Sequence, residues 1–217
     1  MSDELIREVD EDIRKERYEK LWKRYGAFVI AGALAIVVAT ASVVGWREYQ
    51  SSQRLEQSAA FSAAVRLVEN GDLGQAADAF ATLAGEAGSG YRALASLREA
   101  SIRLEQGERE AALAIYDRVA QDSGVDDLLR DLAALLGVLH QIDSGDTAEL
   151  RSRLALLSAD DKPFRYSARE LEALVALKAG DTAGAKQSLA GLTDDPLAPS
   201  GIRARAAELL AALGGLE

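Results

Sequence analysis

An uncharged run at residues 25–46 constrains this chain more than any other part of its sequence. Arg24 and Arg47 border the run, and its 22 residues contain no charged side chain. As a helix rising about 1.5 Å per residue, the run would span roughly 33 Å, close to the hydrocarbon thickness of a bilayer. We therefore expect a single transmembrane helix here. A buried helix of a soluble core is the alternative.

Aromatic residues stand at both ends of this run. Trp22 and Tyr25 lie at the first end, and Trp46 and Tyr49 lie at the second. Amphipathic rings prefer the headgroup level, so the arrangement favours two membrane interfaces over a buried helix. The residues that we expect to form the membrane anchor are Trp22, Tyr25, Ala27, Ala31, Ala35, Ala39 and Trp46.

The alanines of the anchor are spaced four residues apart, at Ala27, Ala31, Ala35 and Ala39. They form one smooth stripe, and small residues at this spacing let a second transmembrane helix approach closely. The alternative is that an alanine-rich chain has an alanine-rich anchor.

Positive charge is unequal on the two sides of the run. Seven Lys or Arg residues precede it, and three Arg residues occur in the twenty residues after it. The positive-inside bias places the N-terminus in the cytoplasm. We expect a charged helical tail at residues 1–24, the transmembrane helix at 25–46 and an extracytoplasmic domain at 47–217.

A cleaved signal peptide is an alternative reading of the same segment. Ala39-Thr40-Ala41 has the small-x-small form of a cleavage site. Residues 1–24, which precede the uncharged run, are rich in Asp and Glu. This is atypical of a signal peptide, so the anchor is favoured. Whether the site is ever cleaved stays open.

Four segments of the remaining chain begin with a glycine followed by an acidic residue. The glycines are Gly71, Gly107, Gly145 and Gly180, at spacings of 36, 38 and 35 residues. Five, nine and twelve positions after each glycine stands an apolar residue, and these spacings place the three on one helical face. We expect these residues to form the repeat core: Ala76, Phe80, Leu83, Ala112, Tyr116, Val119, Leu150, Leu154, Leu157, Ala185, Leu189 and Leu192.

Each glycine and the acid after it have separate structural roles. Glycine accepts the left-handed conformation that ends a helix, and the acid can cap the next helix through its carboxylate. Each unit is therefore predicted to be two helices joined by a tight turn, and such units must stack to bury their apolar faces. We expect an all-α fold, a solenoid of about four helix pairs with a capping helix after Pro199.

Residues that could support catalysis or ligand chemistry are few. There is no cysteine, and His140 is the one histidine. The acidic pairs Asp126-Asp127, Asp160-Asp161 and Asp194-Asp195 are explained by turns and helix caps. We therefore expect no enzyme activity, no metal, no cofactor and no small-molecule substrate. A formal net charge of −10 disfavours nucleic acid as a partner.

The repeats resemble a known family of helical repeats. A period of 35 to 38 residues, with Ala76 four before Phe80 and Ala112 four before Tyr116, is similar to the tetratricopeptide repeat. The third and fourth units depart from the aromatic position, with Leu154 and Leu189 there. The resemblance implies an interaction module that binds proteins or extended peptides.

The whole arrangement resembles the bacterial YfgM-like family of ancillary Sec translocon subunits. Residues 91–97 (YRALASL), 174–189 (LVALKAGDTAGAKQSL) and 20–26 (KLWKRYG) carry the resemblance. It implies an inner-membrane protein with a periplasmic repeat domain. Its partners would be the Sec channel and a membrane-bound periplasmic chaperone, and it would assist newly translocated envelope proteins. An envelope scaffold that recruits division or cell-wall proteins, without chaperone activity, is the alternative.

Overall fold

The computed structural model describes residues 2–214, and the side chains of residues 22–26, 28, 30–32, 34 and 36–214. Every regular element in this part of the chain is an α-helix, which confirms the all-α prediction. The helices are α1 (Ser2–Glu69), α2 (Leu73–Glu86), α3 (Ser89–Glu105), α4 (Arg109–Gln121), α5 (Asp127–Leu139), α6 (Thr147–Ala155), α7 (Arg165–Lys178), α8 (Thr182–Asp194) and α9 (Ser200–Ala212).

The chain divides into two compact units, Met1–Glu56 and Gln57–Glu217. The first unit contains most of α1, including the uncharged run. Among the residues that the structure describes, one helix is long and apolar enough to cross a membrane, and its most apolar stretch is not buried at all. Its large side chains are open, with Phe28 75% and Ile36 69% exposed. Such exposure is costly in water and favourable in lipid.

Paired helices make up the second unit. The end of α1 packs against α2, and α3–α4, α5–α6 and α7–α8 follow as hairpins, with α9 after the last of them. Three glycines end the first helices of these pairs in the left-handed conformation, Gly71, Gly107 and Gly180, with φ of 83°, 80° and 79°. The next residue donates its N–H back across the turn, as Asp72 does to the carbonyl of Leu67 at 2.9 Å. This closure satisfies the last carbonyls of the helix.

Gly145 does not end a helix in the left-handed conformation, so the prediction for this glycine was wrong. Helix α5 ends earlier, at Leu139, and Gly145 is not among the glycines with positive φ. Its N–H donates to the carbonyl of Gln141 at 2.7 Å, and an added Cβ would lie 3.0 Å from that oxygen. Ile142 lies in the loop after α5 and packs onto the core cluster of α5, α6 and α7. The glycine is therefore required for a close backbone approach rather than for a helix end.

Two of the four expected acidic caps form. The carboxylate of Asp146 accepts from the N–H groups of Ala148 and Glu149 at 3.0 and 2.9 Å, and that of Asp181 accepts from Gly184 at 2.9 Å. Asp72 and Glu108 stand before their helices but make no side-chain cap, so those two expectations were wrong. Glu108 instead accepts from Arg103 at 2.6 Å, while Asp72 contributes through its backbone, whose N–H closes the turn onto Leu67.

The stacked pairs form two layers. In the inner layer the first helices contact one another in succession, since α3 touches α5, α5 touches α7 and α7 touches α9. In the described part of the chain, the backbones of the second helices α4, α6 and α8 do not approach each other in this way. Units that approach more closely on one side must curve towards it, so the first helices line the inner side of the stack.

Candidate functional site

The inner side of the stack carries exposed leucines on α5. Leu128 and Leu139 are 49% and 43% exposed, and Leu132 between them is partly buried. Offsets of four and seven residues place the three on one face of the helix. None of them belongs to a hydrophobic core cluster. They form an apolar face that the fold itself does not cover.

The packing of the other α5 residues fixes the direction of this face. Leu129 and Leu136 pack towards α3 and α4, and Leu135 packs towards α6 and α7. Ala134 lies on the opposite side of the helix from Leu132, where it lines a cleft between the second helices α4 and α6. Leu132 therefore points away from the outer layer, towards the solvent-exposed side of the inner layer.

Helix α3, the neighbour of α5 in the inner layer, adds a further leucine. Its solvent-facing stripe is Leu94, Arg98, Ser101 and Glu105, at offsets of four, three and four residues. Leu94 is 42% exposed. We call Leu94, Leu128, Leu132 and Leu139 together the leucine face. Its apolar character and the adjacent charges suit a partner segment with apolar side chains and polar flanks.

Polar contacts fix the helices beside the leucine face. The carboxylate of Glu170 on α7 is buried and accepts two bonds from Arg205 on α9, both at 2.7 Å. These hydrogen bonds, and secondly the charge of Glu170, raise the pKa of Arg205 above its ordinary value. Lys178 donates to the carbonyl of Gly145 at 2.6 Å and so ties α7 to the loop after α5. The inner layer is thus preorganised, which lowers the entropy cost of binding.

A second concavity lies in the outer layer. It is a cleft of about 600 Å³ between α4, α5 and α6. Each basic side chain that lines it is paired: Arg153 with Asp117 at 2.6 Å, Lys162 with Asp131 at 3.0 Å, and Arg130 with Asp127. An incoming anion would have to displace these carboxylates, so the cleft is a polar joint between helices rather than an anion site.

The residues predicted for the repeat core all lie inside the second unit. Their side chains are between 0% and 6% exposed. All but Ala185 are distributed over five core clusters that join neighbouring helices, and the full set comprises Ala76, Phe80, Leu83, Ala112, Tyr116, Val119, Leu150, Leu154, Leu157, Ala185, Leu189 and Leu192. These residues therefore lie where they can hold the stack together.

His140 lies directly after α5, as its C-terminal cap, rather than within the helix. Its ring stacks on that of Tyr116, with centroids 6.0 Å apart and planes 5° from parallel. Burial, and secondly the charge of Arg109, lowers the pKa of His140, while burial raises that of the Tyr116 hydroxyl. In the described residues no cluster of His, Cys, Asp or Glu could hold a metal ion.

The anchor residues lie on the surface of the first unit. Trp22, Tyr25 and Trp46 are 62%, 49% and 64% exposed. Ala31 and Ala39 are also exposed, whereas the side chains of Ala27 and Ala35 fall outside the described ones. The structure therefore describes the side chains of the expected alanine stripe at two of its four positions.

Sequence reasoning did not find the leucine face. A signal was present, because the leucines of α5 at 128, 129, 132, 135, 136 and 139 occupy one side of the helix, while Ala133, Ala134 and Val138 make the other side apolar as well. Apolar residues on so wide an arc indicate either burial on all sides or a partner.

Paired helices with a curved inner layer and an uncovered apolar face define a helical-repeat protein-interaction module. The family model described as a tetratricopeptide repeat-like domain matches residues 19–191. This chain belongs to that family of tetratricopeptide repeat-like proteins. The match begins before the uncharged run and ends within α8, so it includes both the membrane-span candidate and the repeats. Comparison with curated proteins and with solved structures gives no match.

Proposed function

We propose that this protein is a membrane-anchored periplasmic interaction module that assists newly translocated envelope proteins beside the Sec channel. One observation carries the interaction role: the leucine face is exposed on a preorganised inner layer. The Sec channel and the membrane-bound periplasmic chaperone, as partners in the bacterial inner membrane, come from the resemblance to the YfgM-like family. The proposal involves no catalysis, cofactor or nucleic acid.

Its topology follows from the charge asymmetry around the uncharged run. Residues 1–24 would lie in the cytoplasm, 25–46 in the membrane and 47–217 in the periplasm. Trp22, Tyr25 and Trp46 would sit at the two headgroup levels. Tethering confines the repeat domain near the membrane surface, which raises its effective concentration for segments emerging there.

The leucine face would bind short apolar segments of an unfolded chain. Such segments are exposed in a protein that has just crossed a membrane and has not yet buried its core. Leucines on the inner layer would cover them, and the neighbouring Arg98 and Glu105 would contact the polar flanks. Because apolar burial is not directional, this surface would accept many sequences.

Site-specific photocrosslinking in cells tests the proposal. A photoreactive amino acid at Leu139 should capture newly translocated envelope proteins and Sec channel subunits. The matched control position is Leu156, which is 71% exposed and lies beside the cleft of the outer layer. Equal products from both positions would contradict a role for the leucine face. Division or cell-wall enzymes as the main products would instead support the scaffold alternative.

A charge substitution completes the test. Leu128→Glu with Leu139→Glu should abolish the specific crosslinks made from a reporter at Leu94, because burying an unpaired carboxylate against an apolar segment is costly. Both leucines are already nearly half exposed, so the fold should be retained. Unchanged crosslinking with a folded domain would contradict the assignment of the binding surface.

A further inference from the structure

Positive charge is concentrated at the first boundary of the uncharged run. Residues 20–26 contain Lys20, Lys23 and Arg24 and no acidic residue, in a chain whose formal net charge is −10. Lys23 and Arg24 are both exposed. The interaction role of the repeat domain does not account for this basic cluster.

Trp22 is held in place at the same boundary. Its indole lies against Gly26 one helical turn on, because an added Cβ there would be 3.2 Å from the indole carbons Cδ2 and Cε2. That distance is tighter than an ordinary contact, so the missing side chain lets the ring lie close to the helix. The ring is nevertheless 62% exposed on its other sides. Its orientation is thereby defined.

Tyr25 brings a second ring beside the cations. The guanidinium carbon of Arg24 lies 5.6 Å from the centre of the Tyr25 ring, within the range of a cation–π contact. This contact keeps the guanidinium at the level of the aromatic rings. Its donors stay available for an oxygen ligand, because guanidinium donors lie in the plane of the group.

The opposite boundary lacks this excess of charge. Trp46 and Tyr49 also pair there, with ring centroids 6.2 Å apart. Between them stand Arg47 and Glu48, whose charges offset each other. Both boundaries therefore carry two aromatic rings, and the first also carries an excess of positive charge, since residues 16–26 contain four Lys or Arg residues against Glu16 and Glu19.

We infer that residues 20–26 bind the phosphate headgroup of an anionic phospholipid. Lys23 and Arg24 contact the phosphate, while Trp22 and Tyr25 lie against the first part of the acyl chains. The ligand is a lipid rather than free phosphate because the aromatic rings and the following apolar run provide contacts that only acyl chains use. This inference depends on the membrane anchor of the proposed function.

Selective quenching of tryptophan fluorescence tests the inference. The chain has two tryptophans, so Trp46→Phe leaves Trp22 and Trp22→Phe leaves Trp46, one reporter at each boundary. Each full-length variant is reconstituted in bilayers of equal phosphatidylcholine and phosphatidylglycerol. Bromine is carried on the upper acyl chain of one lipid or the other. Brominated phosphatidylglycerol should quench Trp22 more strongly, corresponding to a preference of at least about fivefold, the ratio expected if only one of the two cations meets the anionic surface.

Charge variants and salt identify the source of the preference. Lys23→Gln with Arg24→Gln should remove it, whereas Arg47→Gln should leave the quenching of Trp22 unchanged. Free phosphate added to the buffer should not abolish it if the ligand is a lipid. Equal quenching of Trp22 by both lipids would overturn the inference, as would an equal preference at Trp46.

Failure of the anchor is distinguished by flotation with vesicles of phosphatidylcholine alone. Protein that floats after extraction at high pH is inserted, whatever lipid it prefers. Protein that floats without a preference refutes the lipid site and leaves the proposed function standing. Protein that does not float refutes the anchor and the lipid site together.

Discussion

Arg153 on α6 donates a hydrogen bond from Nη2 to Oδ1 of Asp117 on α4, at a distance of 2.6 Å. Helices α4 and α6 otherwise make no backbone approach in the described chain. Gly137 on α5 makes the bond possible, because a Cβ there would lie 3.1 Å from Arg153 Nη2. A single ion pair that passes over Gly137 thus joins α4 and α6, two second helices whose backbones do not approach each other.

Replacing Arg153 with alanine should lower the free energy of unfolding by about 1 kcal/mol. A charge-assisted bond is stronger than a neutral one, but partial exposure of both groups reduces its contribution. Urea unfolding in detergent, followed by circular dichroism, measures the change. Arg151→Ala is the control, because Arg151 lies 3.7 Å from Asp181 and both are about half exposed. Equal effects of the two substitutions would refute the role given to Arg153.

Removing a buried ring from the core should have a larger effect. Phe80→Ala and Tyr116→Ala should each destabilise the domain by about 3–5 kcal/mol, because each side chain is almost wholly buried. Leu156→Ala, at a position 71% exposed, should change stability by less than about 0.5 kcal/mol. The same unfolding measurement applies. A loss below about 1 kcal/mol at either ring would show that the helices do not pack as described.

The acidic caps provide a matched pair of substitutions. Asp146→Ala should destabilise the domain by about 1 kcal/mol, because its carboxylate accepts two backbone N–H groups at the start of α6. Asp72→Ala should have almost no effect, since its side chain makes no cap bond. Thermal unfolding of the two variants distinguishes them. A larger shift for Asp72→Ala would contradict the structure.

The contribution of His140 to stability should depend on pH. Its folded-state pKa lies below the ordinary value of 6.5, because of burial first and Arg109 second. As the pH falls through 6.5 the unfolded chain binds a proton that the folded chain resists, so stability decreases until the lowered pKa is reached. The stability difference between the native chain and His140→Gln should therefore be smaller at pH 5.5 than at pH 7.5. A difference that grows on acidification would mean that the folded state favours the charged ring.

Topology can be tested with reporter fusions. An enzyme that is active only outside the cytoplasm should be active when fused after Glu217 and inactive when fused before Met1. The reason is the seven Lys or Arg residues before the uncharged run against three in the twenty residues after it. The reverse pattern would overturn the orientation and with it the periplasmic location.

Local signals allowed the paired helices to be predicted from sequence. A glycine at the end of an apolar periodicity is sufficient to mark a turn such as those at Gly71 and Gly107, because the left-handed conformation is a property of the residue itself. The turn at Gly145 was not predictable in this way. There Ile142 packs from the loop onto a cluster that includes Leu171 and Val175 of α7, and no local pattern marks that contact.

The candidate site depended still more on tertiary structure. Which leucines of α5 are covered is decided by the positions of α3 and α7, so periodicity alone could not separate Leu132 from Leu135. The bond between Arg153 and Asp117 joins residues 36 positions apart, with no local pattern to indicate it. Capping was only partly predictable, because the carboxylate of Glu108 bonds to Arg103 instead.

Contacts that join only neighbours determine the order in which the repeat domain can fold. From α2 to α9, each helix of the described chain contacts only helices that are one or two helices away in chain order. The contact order is therefore low, and a hairpin can bury its core once the following helix is available. In the proposed topology the domain emerges from the membrane beginning next to its anchor, so it can fold progressively without waiting for its C-terminus. The domain would then complete its own structure during its export.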